Sequence, residues 1–170
     1  GRRLPRDLAM ARDFFGRAAA AGHGEAAAIA VNFTANGTGG PSDRPKAIDQ
    51  LRRLARTDKH AERQLQLVEK MSLTPEGDPV TVPEGGVLSQ APYEKLLPSA
   101  FTPEECTYLA QVAEPKFVPS FIVDTSGRQV QHPVRTSDLS GFPWPLENPA
   151  VHALNRRLAA LSGTSVDQGE

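Results

Sequence analysis

Four histidines, one cysteine and one Arg-x-Ser pair carry most of the chemical potential of this 170-residue chain. A mononuclear site of two histidines and a carboxylate needs its donors on one face of the metal. Two histidines sit in His-x-Glu triplets, His23-Gly24-Glu25 and His60-Ala61-Glu62. Both triplets open alanine-rich stretches of helical character. Residues two apart on a helix point ~200° apart, so neither triplet can hold one ion, and both are expected in solvent. His132 and His152 have no carboxylate two residues on, and no Cys/His cluster has zinc spacing. We therefore expect no catalytic residue and no metal ligand within the chain. A single cysteine, Cys106, cannot form an internal disulfide; it falls in a predicted helix and is expected to be a small buried apolar residue. Neither a Gly-x-Ser-x-Gly nucleophile turn nor a phosphate-binding loop is present. What remains is Pro133-Val-Arg-Thr-Ser-Asp138. Arg135 offers a planar fork of donors for a carbonyl or carboxylate. If the segment is extended, Ser137 points to the same side.

The elements that must position these residues divide into two halves. Residues 1–71 are rich in Ala, Arg and Leu and nearly free of strand signals. A shift of 36 residues aligns Ala11 with Ala47, Asp13 with Asp49, Arg17 with Arg53 and Ala19 with Ala55, and sets Ile29 and Val31 on Leu65 and Leu67. A repeat of this length reads as stacked helical hairpins, each too thin to bury its own apolar face. Four helices are predicted, roughly at 5–21, 25–36, 44–56 and 59–70. Gly22 ends the first, and Ser42 or Asp43 caps the third. Small alanines at 18, 19, 26, 27 and 28 let the helices approach closely. Residues 72–86 hold three prolines and three glycines and read as a linker.

Residues 87–170 read as short strands and two helices. Val87–Pro92 and Tyr93–Leu97 are extended. Thr102-Pro-Glu-Glu105 is a capping box opening a helix that runs to about Ala113. Phe117–Val123 forms a strand with Pro119 toward an edge, Asp124–Gly127 turns, and Arg128–His132 returns. Asn148-Pro149 opens a last helix that Ser162-Gly163 ends, with Val151, Leu154, Leu158 and Leu161 on one face. The C-terminal half is expected to pack its two helices on a small sheet, and Trp144 is expected in a core.

Both halves resemble known families. The stretch from Ala11 to Ala26, the Gly-rich loop after Asn36, and Pro45-Lys-Ala47 resemble Sel1-like repeats, relatives of the tetratricopeptide family. The second copy departs from the pattern, with Asp58 in place of Gly22 and Ala61 in place of Glu25. This resemblance implies a scaffold or a surface for a protein partner. Leu97–Leu109, Ser120–Gly127, Arg135-Thr-Ser137 and Asn155–Ser165 followed by Gln168-Gly-Glu170 resemble, in order, the opening of prolyl-4-hydroxylase alpha-subunit-type oxygenase domains. That family adds oxygen to a substrate carbon with Fe(II), 2-oxoglutarate and often ascorbate, on a double-stranded β-helix. The resemblance implies an α+β chain: helical repeats at 1–71, a linker at 72–86, and at 87–170 the incomplete start of an oxygenase domain, before its iron-binding strands. It places Arg135, Ser137 and Glu170 beside a peptide-substrate groove; the metal and cosubstrate residues have no counterparts here. The alternative is a non-catalytic interaction module in which the helical repeats act.

Net charge is −1, with no basic footprint for nucleic acid, and no apolar run approaches a membrane span. The expected location is cytoplasmic.

Overall fold

The computed structural model describes residues 5–131 and 133–168. Two helical hairpins form first, from α1 (Leu8–Ala20), α2 (Gly24–Asn36), α3 (Arg44–Leu54) and α4 (Lys59–Lys70). Each begins where a side chain satisfies an orphan backbone donor. Asp7 and Asp43, 36 residues apart, accept from the Met10 and Lys46 amides at 2.8 and 3.0 Å. Gly22 takes φ +90° just after α1. The second helices start in a different register. Their caps are His23, whose Nδ1 accepts from Ala26 N at 3.3 Å, and Asp58, whose carboxylate accepts from His60 and Ala61. These caps, and the buried Ala26 and Ala61 that follow them, are 35 residues apart. The pairs set together by the 36-residue shift still match in burial, with Val31 and Leu67 both buried and Ile29 and Leu65 both half-buried; only the caps are offset by one residue less. The reason is local: α1 has 13 residues and α3 only 11, while the connection after α3 is longer.

The hairpins pack through small residues. Ala47 and Leu51 of α3 are almost fully buried, and Phe15 meets Phe33 edge to face at 5.6 Å. Two hairpins alone leave an apolar side open, which α6 (Pro149–Ser162) covers by packing against α2, α3 and α4. Asn148 caps it, and Gly163 ends it in the left-handed conformation. Every residue from Pro149 to Leu154 is buried, so its first turns are surrounded on all sides. The final turns bury only Ala159 and Leu161, and Leu158, expected on the apolar face, is 47% exposed.

Asn36 joins the repeat to the segment entering α6. Its Oδ1 accepts from the backbone N and hydroxyl of fully buried Thr38, and its Nδ2 donates to the carbonyl of Trp144 at 2.8 Å. Asn32, one turn earlier, donates to the Leu146 carbonyl at 3.1 Å. The two amides hold a 3-10 turn at Trp144–Leu146. The Gly-rich loop lies against α1: Arg12 donates to the carbonyls of Thr38 and Pro41.

Contacts divide the chain into two compact units, one running to Ala100 and resuming at Trp144, the other Phe101–Pro143. This division does not coincide with the linker at 72–86. That segment folds into a turn, with Leu73 bridging Pro79, and Asp78 pairs with Arg156 of α6 at 2.6 Å. The sequence reading grouped α6 with the preceding helix and a small sheet; its core partners are the repeat helices. The first unit also holds the antiparallel hairpin β1 (Gly86–Gln90) and β2 (Tyr93–Leu96).

The second unit contains α5 (Pro103–Ala113) and four two-residue strands: β3 (Val118–Pro119), β4 (Ile122–Val123), β5 (Gln129–Val130) and β6 (Asp138–Leu139). The capping box forms in full, with Thr102 N donating to Glu105 at 2.8 Å and Glu105 N to Thr102 Oγ1 at 3.2 Å. Glu105 and Tyr108 mark the buried face of α5. Cys106 lies about 100° round the helix from Glu105 and is exposed, which corrects the expected buried thiol. The architecture is α+β, and among the described residues the sheets are three antiparallel pairs.

Candidate substrate groove

The segment from Phe117 to Val123 is not one strand. β3 pairs with β6, setting Val118 opposite Leu139 and Pro119 opposite Asp138; β4 pairs with β5, setting Ile122 opposite Val130. Pro119 has no N–H to continue a ladder, and the partner changes just beyond it. Asp124 closes the β4–β5 turn by accepting from the Ser126 amide, the Ser126 hydroxyl and the Arg128 amide. These bonds, the Ser126 hydroxyl foremost, hold the Asp124 carboxyl below its usual pKa. Gly127 supplies the positive φ, +79°, that this turn needs.

Arg135 and Ser137 lie on the approach to β6. Ser120 N donates to the Ser137 carbonyl at 3.0 Å, which extends the β3–β6 pairing by one residue. The two hydroxyls, Ser120 Oγ and Ser137 Oγ, are 3.2 Å apart. An open groove of about 370 Å³ runs between these strands, lined by Arg135, Ser137, Ser120, Gln131 and Pro119 among others. Arg135 is exposed, and among the described residues no hydrogen bond or ion pair commits its guanidinium. Chemically the groove offers a planar donor fork and a hydroxyl next to the β3–β6 pairing. That suits the carbonyls of a peptide laid along it. The structure thus brings Arg135 and Ser137 together. Glu170, the third expected substrate residue, and His132 lie outside the described residues.

Ser120 was missed by the sequence reading. It is 2% exposed and fixes Ser137, but a serine between a proline and a phenylalanine carries no local signal of that role. A second arrangement was also missed, in the first unit. His152 Nδ1 lies 3.0 Å from Glu147 Oε2, and Asn155 Nδ2 donates to Glu147 Oε1 at 2.6 Å. The carboxylate sits five residues before the histidine, a spacing no short motif covers. Trp144 also differs from expectation: it is 42% exposed, not packed in a core, and belongs to the first unit.

No three His, Cys, Asp or Glu side chains converge as a metal-binding group among the described residues. The described residues do not fit an iron centre. No helix among the described residues is long and apolar enough to cross a membrane.

The fold is of the α+β class, and its second unit carries an open groove of about 370 Å³. Over 88 residues, 49% of this chain, it is 36% identical to prolyl 4-hydroxylase 1 of Arabidopsis thaliana. The match covers 30% of that protein's length. No family model matches the chain, and no solved structure does. The partial similarity supports a prolyl-hydroxylase-like relationship and an oxidoreductase-type origin.

Proposed function

We propose that this chain is the leading part of a 2-oxoglutarate- and Fe(II)-dependent oxygenase that hydroxylates a peptidyl or related substrate. The observation that carries the reading is the 36% identity with a prolyl 4-hydroxylase over about half the chain. In this reading Fe(II), 2-oxoglutarate and ascorbate serve the complete protein and are held by residues this chain does not contain. Arg135 and Ser137 hydrogen-bond the substrate backbone, Glu170 is a third substrate-binding residue, and none of them takes part in oxygen chemistry. The free Arg135 guanidinium in an open groove supports that assignment. Two helical hairpins offset by 36 and 35 residues support a Sel1-like scaffold before the oxygenase part.

The test is a gene product carrying this chain together with residues beyond Glu170. It is incubated with Fe(II), 2-oxoglutarate, ascorbate and a proline-rich peptide, and peptide hydroxylation and 2-oxoglutarate decarboxylation are measured. Turnover is expected, with Arg135→Ala raising KM for the peptide about tenfold or more through loss of a charge-assisted hydrogen bond. A downstream sequence without His-x-Asp and a later His, or turnover of 2-oxoglutarate by residues 1–170 alone, would overturn it.

A further inference from the structure

The first unit holds a second cleft, of about 430 Å³, between α6, the loop before α3 and the turn at 74–78. Trp144, His152, Arg156, Glu76, Asp78 and Asp167 supply its chemical character. His152 is only 7% exposed and is one of the residues that line the cleft. Its tautomer follows from its neighbour. Glu147 Oε2 is a carboxylate oxygen and only accepts, so Nδ1 carries the proton in that 3.0 Å bond. Asn155 holds the same carboxylate from its other oxygen at 2.6 Å and locks the orientation. In the neutral ring Nε2 is then an acceptor, and it has no partner among the described residues.

The charges around the cleft have the same bias. Arg156 is committed to Asp78 at 2.6 Å. Glu76 and Asp167 are exposed and have no ion-pair partner among the described residues. Arg44 lies behind the Gly77 backbone, where burial and then the charge of Arg156 lower its pKa. Arg44 Nη2 and Arg156 Nε lack partners among the described residues, but both atoms are sealed from solvent. What the cleft presents is His152, whose Nε2 is an acceptor in the neutral ring, the exposed carboxylates of Glu76 and Asp167, and the partly exposed indole of Trp144. An indole face attracts cations.

We infer that this cleft binds an organic cation with N–H donors, a primary ammonium or a guanidinium. It is carried either by a Lys or Arg side chain of a protein partner or by a free small amine. The cation donates to His152 Nε2, lies near the Trp144 ring and is balanced by Glu76 and Asp167. This site is separate from the substrate groove and does not depend on the oxygenase reading.

Trp144 is the single tryptophan of the chain, so its fluorescence reports on this cleft directly. The probes are acetyl-Gly-Lys-Gly-amide, acetyl-Gly-Arg-Gly-amide, n-butylammonium, the Nε-acetyl-lysine form of the first peptide, and acetate. A saturable change is expected with the charged peptides and not with the acetylated one. Glu76→Gln combined with Asp167→Asn changes two exposed side chains, and weakens binding by about three- to tenfold as two partly screened charges are lost. Butylammonium binding as tightly as the peptides assigns the site to free amines; tighter peptide binding assigns it to a protein side chain. The proposal fails if no cation gives saturation, if the acetylated peptide or acetate binds as well as the charged peptides, or if the double variant, folded by circular dichroism, binds unchanged.

Discussion

Gly39→Ala and Gly16→Ala add the same methyl group and are expected to shift stability in opposite directions. Gly39 has φ +73°, a left-handed conformation that costs an alanine about 1–2 kcal/mol. A Cβ there would also stand 2.1 Å from the Leu8 carbonyl oxygen and 2.6 Å from its carbon. Those are backbone atoms at the start of α1, so the loop or the helix must move, at about 1–3 kcal/mol as for overpacking in a core. Together the substitution destabilises by about 2–5 kcal/mol, a large part of the roughly 5–15 kcal/mol typical of a folded domain. Gly16 lies inside α1 with nothing within 4 Å of its added Cβ, and alanine there gains about 0.5–1 kcal/mol from helix propensity. Urea unfolding followed by far-ultraviolet ellipticity gives both values, as midpoint shifts at constant slope. If Gly39→Ala unfolds within about 0.5 kcal/mol of the parent, below the cost of the left-handed backbone alone, the Gly-rich loop does not pack on α1 as described.

Three further outcomes follow from named contacts. Asn36→Ala leaves buried Thr38 without its acceptor and the Trp144 carbonyl without its donor; a loss of about 3 kcal/mol is expected in the same urea assay, from unsatisfied groups costing about 1–3 kcal/mol each. Asp124 has a lowered folded-state pKa, so its contribution is complete above the ordinary carboxylate value near ~4 and is lost as pH falls through the lower folded value. Protection factors of the Ser126 and Arg128 amides, taken against intrinsic exchange at each pH, should therefore fall in that acidic window, and Asp124→Asn should abolish that fall. Ser120→Ala removes the hydroxyl beside Ser137, at about 1 kcal/mol, and should shift the Ser137 amide resonance while leaving those of the helical repeats in place.

Local chemistry was legible where a few neighbouring residues settle the matter. Thr102-Pro-Glu-Glu105 forms its capping box, Asn148-Pro149 opens α6 and Gly163 ends it, because caps involve residues within one turn. Asp43 caps α3, as one of the two residues expected to do so. Legibility failed where a partner is distant. Cys106 and Leu158 sit at apolar-looking helix positions, yet no neighbour covers them enough for burial. The strand through Pro119 was read whole, because nothing local shows that its two ends pair with different segments. Arg135 and Ser137, two residues apart, line one groove, while Ser120 and the Glu147–His152–Asn155 set carried no local signal.

The sequence by itself determined where the helices lie, to within a few residues at some ends, that the first four repeat, and which residues lacked metal or nucleophile spacing. Those are properties of periods, caps and short offsets, and they survive without knowledge of any distant contact. Only the tertiary structure decided that α6 completes the core of the repeat helices, that Asn36 holds the turn entering it from 108 residues away, and that Trp144 and His152 face a cleft. Burial and long-range hydrogen bonding depend on which surfaces meet, and a pattern read along one chain gives the apolar face of each helix without naming what will cover it.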